Sequence, residues 1–250
     1  MNVVVEGLLV NYSDEGSGPV ILFIHGWGDS LSTFNTVTKE LTASYRVITI
    51  DLPGFGKSQA PKNPWGLSDF AVLINKFLTK INVNLYAIIG HSNGGAITIR
   101  GVSHKIFSAE KIILLASSGV RGEFKNSKKF LRVAAKGARA LTAPLPLSIK
   151  SKIKKRAYQS IGSELFVAEH MQDTFKKIIS EDVVEESSLI KLPTLLIYGQ
   201  NDEATPPRYG EQFHIKIKNS KLEIITNCGH FVHQQAPRIV NKIIVDFLSQ

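Results

Sequence analysis

Short apolar runs alternate with segments of helical periodicity along most of this chain. Runs predicted to be strands cover residues 20–24, 45–50, 85–89, 111–116, 193–198 and 221–226, after opening strands over residues 3–10 and 9–14. Continuous apolar runs of this length are typical of strands that are buried on both faces. Because helical segments separate the runs, the pattern predicts an α/β fold in which a mostly parallel sheet is covered by helices on both sides.

Two helical patterns are especially regular. After Ser68, a favourable helix N-cap residue, apolar side chains recur at the spacing i, i+3, i+4, i+7, i+8, i+11 over residues 70–81. A second amphipathic pattern closes the chain. Its apolar positions are Ile239, Ile243, Ile244, Phe247 and Leu248. Each pattern predicts a helix that lies flat on the sheet.

The alternation is interrupted between residues 117 and 192. This stretch contains helical patterns but no convincing strand, and a chain of 250 residues can hold one large core with an insertion. We therefore predict an α/β core formed by residues 1–120 and 187–250, and a helical cap inserted over residues 121–186.

The positive charge is concentrated in the predicted cap. Residues 121–156 carry a net charge of +11, within a chain whose total is +9, so the remainder is slightly acidic. A solvated face of an amphipathic cap helix would explain this charge. The alternative is a surface that associates weakly with anionic lipid or steers an acidic substrate. Nucleic-acid binding is not expected, because no recognised module is present and aromatic residues are not interleaved with the basic ones.

Cellular location is indicated by the start of the chain and by its cysteine content. The first ten residues show neither a basic leader nor a long apolar stretch, and the single cysteine, Cys228, cannot form an intramolecular disulfide. The sequence therefore predicts a cytoplasmic protein.

Candidate chemistry centres on residues 85–100. An apolar run leads directly into Gly90-His91-Ser92-Asn93-Gly94, and helix-forming residues follow. Glycine is needed at positions 90 and 94, because a side chain there would strike the neighbouring strand or helix. Strand, sharp turn and helix with a serine at the apex predict a nucleophile whose hydroxyl stands clear of the sheet.

Reactive side chains should gather at the carboxyl ends of the parallel strands. Besides Ser92, predicted strand ends carry Asp202, His230 and the run His25-Gly26-Trp27-Gly28. A serine hydroxyl needs a base within hydrogen-bond reach, which a histidine can provide, and a buried carboxylate can orient that histidine. His233 is an alternative to His230 as the base. Glu203 and Asp51 are alternatives to Asp202 as the carboxylate. His25 and His91 are better explained as structural residues, and Cys228 as a small buried thiol.

Together these motifs resemble the α/β-hydrolase fold superfamily, in its capped branch with a serine nucleophile. The resemblance covers essentially the whole chain outside the predicted cap. The matching segments, in order, are residues 25–28, 51–58, 90–94, 198–202 and 229–230.

The resemblance implies a role for each matching residue. Ser92 would be the nucleophile, His230 the general base and acid, and Asp202 the orienting carboxylate. The backbone N–H groups of Trp27 and Asn93 would form the oxyanion hole. No cofactor is expected. A metal is not expected either, because the sequence shows no third ligand to accompany His230 and His233.

The substrate pocket is expected where the cap meets the core. Apolar residues are candidates for its lining, and an apolar lining would favour esters or lactones that carry an acyl chain. The candidates are Phe124, Phe130, Phe166, Met171 and Phe231.

Three functions are compatible with the sequence. The first is hydrolysis of carboxylic esters, with lactones or thioesters as further substrates, through an acyl-enzyme. The second is hydrolysis of a carbon–carbon bond in a β-diketone-like compound, which basic residues facing the pocket would favour. The third is a non-catalytic ligand-binding or interaction protein on the same scaffold. Of these functions, hydrolysis of a small-molecule substrate is the kind that gives a role to every matching residue.

Overall fold

A computed structural model describes residues 1–121 and 169–250. These residues form one eight-stranded sheet with the order β1-β2-β4-β3-β5-β6-β7-β8. The strands are β1 Asn2–Val5, β2 Leu8–Glu15, β3 Val20–Ile24, β4 Arg46–Ile50, β5 Ala87–His91, β6 Lys111–Leu115, β7 Thr194–Gly199 and β8 Ser220–Ile225. From β4 to β8 every neighbouring pair is parallel, while β1 with β2 and β2 with β4 are antiparallel.

Both faces of the parallel part are buried. Along β3, Leu22 and Ile24 belong to one apolar cluster, and Ile21 and Phe23 belong to another on the opposite face. Successive side chains of a strand point to opposite faces, so a continuous apolar run supplies two cores at once. The predicted mostly parallel sheet with helices on both sides is confirmed.

Helices connect the strands and cover the sheet. In the described residues they are α1 Asn35–Leu41, α2 Leu67–Ile81, α3 Asn93–Ser103, α4 Gln172–Ile178, α5 Val184–Ser187, α6 Pro207–Lys216, α7 Val232–Gln235 and α8 Pro237–Leu248. Short 3₁₀ helices occupy Leu31–Phe34 and Glu169–Met171. The two regular helical patterns of the sequence correspond to α2 and α8.

The opening strand was predicted as residues 3–10, and this prediction is wrong. The chain turns at Glu6 and Gly7, which both have positive φ, so β1 and β2 form a tight hairpin. Two consecutive residues with positive φ are typical of the two-residue turns that join antiparallel strands. The apolar alternation runs on across the turn, which made the hairpin look like one strand.

The start of α2 also differs from the prediction. Its N-cap is Gly66 rather than Ser68, and the Gly66 N–H donates to Asp69 Oδ2 at 2.7 Å. The Ser68 hydroxyl instead accepts a hydrogen bond from Arg100, 3.1 Å away.

In α8 the inward face was predicted to include Ile239, but this residue is 54% exposed and Val240 is buried in its place.

The two ends of the predicted cap lie side by side on the core. Val183 N–H donates to the carbonyl oxygen of Gly119 at 2.8 Å, and Arg121 N–H donates to the Asp182 carboxylate at 2.7 Å. Most of the predicted cap and of its basic charge, residues 122–168, lies outside the described residues, so both stay predictions.

Membrane spans were sought in the helices of residues 1–121 and 169–250. None of these helices is both long enough and apolar enough to cross a bilayer.

Candidate active site

The site lies at the carboxyl edge of the parallel strands. Ser92 directly follows β5, Asp202 lies just after β7, and His230 lies in the loop after β8. Because neighbouring parallel strands end at the same edge of a sheet, residues far apart in sequence converge there.

Ser92 lies at the apex of a strained turn. Its backbone has φ 51° and ψ −117°, a conformation that L-residues rarely adopt. The turn depends on the two predicted glycines. A Cβ on Gly94 would lie 2.1 Å from the Ile24 carbonyl oxygen, and one on Gly90 would lie 2.6 Å from the Gly94 carbonyl oxygen. Close approach of helix and strands therefore requires glycine at both positions, as predicted.

Asp202 and His230 form a buried pair. The Nδ1 atom of His230 lies 2.8 Å from Asp202 Oδ2, and the aspartate side chain has no exposed surface. The His230 side chain is 14% exposed. A carboxylate on Nδ1 holds the imidazole so that Nε2 is the nitrogen available for proton transfer.

Thr205 completes the surroundings of the carboxylate. Its hydroxyl lies 2.8 Å from Asp202 Oδ2 and 2.9 Å from the carbonyl oxygen of Ala116, and 3.1 Å from His230 Nδ1. The backbone N–H groups of Ala204 and Thr205 both donate to Asp202 Oδ1, at 2.8 and 2.9 Å. A buried carboxylate is stabilised by donors of this kind, because it has lost its water.

The rivals of Asp202 occupy other positions. Asp51 is buried, but its carboxylate accepts hydrogen bonds from the backbone N–H groups of Leu31 and Lys57 and from the Asn11 side chain. These bonds hold the loops after β3 and β4. Glu203 is exposed. Asp202 is the one of the three whose carboxylate contacts His230.

His233, the alternative to His230, is part of the core. His233 has no exposed surface, and its Nε2 lies 3.3 Å from the Thr33 hydroxyl. Burial and the nearby His230 lower the pKa of His233 to about 4. A histidine in this environment stays neutral and packs as an aromatic ring.

His91 and His25 hold the surrounding loops in place. His91 Nε2 lies 3.1 Å from the His230 carbonyl oxygen, so the elbow is bonded to the histidine loop. Burial, reinforced by His233 and His230, keeps the pKa of His91 well below its usual value. His25 accepts the Leu52 N–H on Nε2 at 2.9 Å and lies 2.7 Å from the Gly26 carbonyl oxygen through Nδ1, and burial lowers its pKa. Both histidines therefore have structural contacts, as expected.

The loop after β3 passes directly beside the serine. A Cβ on Gly26 would lie 3.0 Å from the Cβ of Ser92, so the next residue, Trp27, is adjacent to the nucleophile candidate. The Trp27 ring is fixed between Phe55 and Phe175, with ring centroids 4.8 and 4.9 Å away. Asn93, on the other side, is the first residue of α3, where backbone N–H groups are free to bind a negative charge.

The residues that were predicted to line the pocket lie in different environments or outside the described residues. Phe231 is 40% exposed, and its ring centroid lies 5.4 Å from that of His230. Met171 is buried, and its side chain packs where a Cβ on Gly54 would be, which places it in the apolar core beneath the loops. Phe124, Phe130 and Phe166 lie outside the described residues.

Metal ligands were considered in the same region. Within the described ranges, His, Cys, Asp and Glu side chains form no group of three or more that could hold a metal ion. Cys228 is buried and unpaired. The absence of a metal from the whole chain stays a prediction.

Thr205 is the residue that sequence reasoning missed. Its spacing from Asp202 is a usable signal, since a carboxylate often accepts the backbone N–H groups two and three residues later. Its contact with Ala116, however, depends on the parallel pairing of β6 with β7.

Comparisons with known proteins agree with this architecture. A model of the alpha/beta hydrolase family matches residues 21–243. The monoacylglycerol lipase ABHD6 of Bos taurus is 24% identical, over 94% of this chain and 76% of its own length. A 2-hydroxy-6-oxo-2,4-heptadienoate hydrolase of Pseudomonas putida is 23% identical, over 99% of this chain and 95% of its own. Among solved structures, a bacterial membrane phospholipase A superposes with a TM-score of 0.80 and 25% identity, over 100% of this chain and 85% of that one.

Proposed function

Because the chain belongs to the alpha/beta hydrolase family, we propose that it is a serine hydrolase that cleaves carboxylic esters, including lactones or thioesters, through an acyl-enzyme on Ser92. The observation that carries this proposal is the Asp202–His230 pair, 2.8 Å apart with a fully buried carboxylate, at the same sheet edge as the strained Ser92 elbow.

In this mechanism His230 activates the serine. Its Nε2 takes the proton of the Ser92 hydroxyl while Oγ attacks the carbonyl carbon of the ester. The oxygen of the tetrahedral intermediate becomes negative and is bound by the backbone N–H groups of Trp27 and Asn93. Each such donor typically contributes about 3 kcal/mol to lowering the barrier.

The intermediate then collapses to the acyl-enzyme. The bond from carbon to the leaving oxygen breaks, and His230 returns its proton to the departing alcohol. A water molecule, deprotonated by the same imidazole, attacks the acyl carbon and releases the acid and the free serine. Asp202 keeps the imidazole oriented and stabilises its charged form in both halves.

A carbon–carbon bond hydrolase is the second candidate. It is favoured by the similarity to the 2-hydroxy-6-oxo-2,4-heptadienoate hydrolase. Among the described residues, the rings that pack against His230, namely His91 and Phe231, carry no fixed positive charge that would bind an acidic substrate. This local chemistry supports the ester hydrolase. A non-catalytic binding role leaves the buried Asp202–His230 pair without a purpose.

The test is hydrolysis of p-nitrophenyl esters from acetate to palmitate, together with acyl-homoserine and simple lactones. We expect turnover by the wild type and its loss in Ser92→Ala with an unchanged circular dichroism spectrum. Asp202→Asn should reduce kcat by about four orders of magnitude, because the imidazole would take the wrong tautomer. Glu203→Gln is the matched control, since this neighbouring carboxylate is exposed, and it should keep wild-type activity.

Two outcomes would contradict the proposal. Full activity in Ser92→Ala would exclude the acyl-enzyme. Turnover of a β-diketone with no turnover of any ester or lactone would identify the carbon–carbon hydrolase instead.

A further inference from the structure

The side chain of Asn93 is buried without a hydrogen-bond partner. The residue is 4% exposed, and in the part of the chain that the structure describes neither its Oδ1 nor its Nδ2 has a partner. Its backbone N–H already has a place in the proposed mechanism, but the carboxamide has none. A buried polar group left unsatisfied destabilises the folded state, so an apolar side chain of similar size would make the folded protein more stable.

The position on α3 determines which way this carboxamide faces. Residues three, four and seven positions apart share one face of a helix, so Asn93 shares a face with Ala96, Ile97 and Arg100. On that face Arg100 bonds Glu181 and Glu186, which lie at the C-terminal end of the predicted cap. The other side of α3 meets the sheet, where Gly94 packs against β3. Asn93 therefore faces away from the sheet, on the side of α3 where Glu181 and Glu186 lie.

The carboxamide also extends towards the reacting serine. Helix side chains tilt towards the helix N-terminus, and α3 begins immediately after Ser92 at the carboxyl edge of the sheet. From this general tilt we expect the side chain of the first residue of α3 on the same side as Ser92, near where a substrate of Ser92 would bind.

A buried polar residue on the same helix shows a different arrangement. Thr98 is fully buried, and its hydroxyl donates to the Gly94 carbonyl oxygen at 2.8 Å. One turn closer to Ser92, Asn93 has no such internal partner. Among the described residues, therefore, the Asn93 carboxamide is left available to a group that they do not supply.

We propose that the Asn93 carboxamide is a specificity-determining group that hydrogen-bonds an uncharged hydroxyl or amide of the substrate, close to the scissile carbonyl. This inference rests on the proposed function, because Ser92 defines where the scissile bond lies. A carboxamide offers one acceptor and two N–H donors but no charge. It therefore suits a neutral group that both donates and accepts.

The experiment compares two pairs of esters. In the first pair the hydroxyl is on the acyl side, in p-nitrophenyl 3-hydroxybutanoate against p-nitrophenyl butanoate. In the second it is on the alcohol side, in glycerol monobutanoate against propyl butanoate. We expect the wild type to prefer the hydroxylated ester of at least one pair. Asn93→Leu should reduce that ratio of kcat/KM values roughly 10- to 100-fold, the effect of one lost buried hydrogen bond.

Thermal stability provides a second measurement. Asn93→Leu should melt at a higher temperature than the wild type, because it removes an unsatisfied group. Ser103→Ala is the matched control. Its hydroxyl lies at the opposite end of α3, is also buried, and lacks a partner among the described residues. This variant should not change either ester ratio.

The outcomes separate the inference from the proposed function. Turnover of the plain esters that depends on Ser92, with both ratios unchanged in Asn93→Leu, would overturn the role of Asn93 and leave the hydrolase intact. A lower melting temperature in Asn93→Leu would also overturn it, by showing that the carboxamide supports the fold. Failure to hydrolyse any ester would overturn the hydrolase first and the inference with it.

Discussion

The Asp202 carboxylate is buried. Its hydrogen-bond partners are groups of the turn that follows it and one histidine that is distant in the sequence. Oδ1 accepts two backbone N–H groups, and Oδ2 contacts both His230 and the Thr205 hydroxyl. The aspartate and the histidine could be predicted, because each follows an apolar strand and has a chemically suitable type. Thr205 could not be assigned, since its hydroxyl matters only through atoms that tertiary folding brings to it.

Thr205→Val tests this arrangement as a positioning effect. The change keeps the shape of the side chain but removes the single hydroxyl proton that Asp202 Oδ2 and the Ala116 carbonyl oxygen are both placed to accept. We expect kcat to fall roughly 10-fold through poorer orientation of His230, with KM unchanged because Thr205 is not placed to touch the substrate. The measurement is steady-state hydrolysis of a p-nitrophenyl ester.

Thr205→Ser is the control for the Thr205→Val result. It restores the hydroxyl without the methyl group and should recover most of the lost kcat. If Ser and Val reduced kcat equally, the hydroxyl would not be responsible and packing of the methyl group would explain the loss.

Among the elements, α3 connects the sheet to the C-terminal end of the predicted cap. Arg100 on α3 pairs with Glu186 at 2.6 Å and with Glu181 at 2.8 Å, and it donates to Ser68 on α2. Glu181 also accepts the Leu67 N–H at the start of α2. The existence of α2 and α3 followed from periodicity. The exact start of α2 could not be predicted from periodicity, because Leu67 and Ser68 form hydrogen bonds with residues far along the chain.

Arg100→Met should destabilise the protein by about 1–3 kcal/mol. All three ionic side chains are largely buried, with 14–20% exposure, and removal of the cation takes the arginine away from two carboxylates, of which Glu186 keeps a contact with His104 at 3.0 Å. The exposed remainder of the network reduces the effect below that of a fully buried pair. Urea denaturation followed by circular dichroism measures the change.

An exposed ion pair serves as the comparison for Arg100. Lys242 and Asp246 are 2.8 Å apart on α8 but 75% and 58% exposed, so Lys242→Met should leave the urea midpoint nearly unchanged. Equal effects of the two substitutions would show that burial does not strengthen the Arg100 network.

At the scale of the whole molecule, buried histidines couple folding to pH. His25, His91 and His233 are fully buried, and burial lowers the pKa of each. Unfolding exposes these rings to water, where they bind protons more readily. Protons therefore favour the unfolded chain as the solution becomes acidic.

For His233 the pH range is defined. Its pKa is about 4 in the folded protein against an ordinary value of 6.5. Between these values the unfolded chain binds a proton that the folded protein does not, so the free energy of unfolding falls as the pH is lowered from 6.5 to 4. This residue alone contributes a fall of about 3 kcal/mol. His233→Gln, which cannot be protonated, should flatten the fall.

Melting temperatures at several pH values between 7 and 4 measure this coupling. His214 is exposed, and His214→Gln should follow the wild-type profile. A His233→Gln profile parallel to the wild type would show that His233 is not responsible for the pH dependence.

Local chemistry determined the elements and the identity of the candidate residues. Apolar runs marked β3 to β8, periodicity marked α2 and α8, and the tight packing around Gly90 and Gly94 could be inferred because a Cβ has nowhere to go in so sharp a turn. These features depend on residues that are neighbours in the sequence.

Tertiary structure decided the choices between rivals. Asp202 rather than Asp51 contacts His230, because β7 and β8 are adjacent and parallel while the carboxylate of Asp51 is taken up by the loops after β3 and β4. The unsatisfied carboxamide of Asn93 likewise became visible only once burial was known. Hydrogen bonding and burial depend on which distant groups meet, and one residue's type and spacing do not specify that.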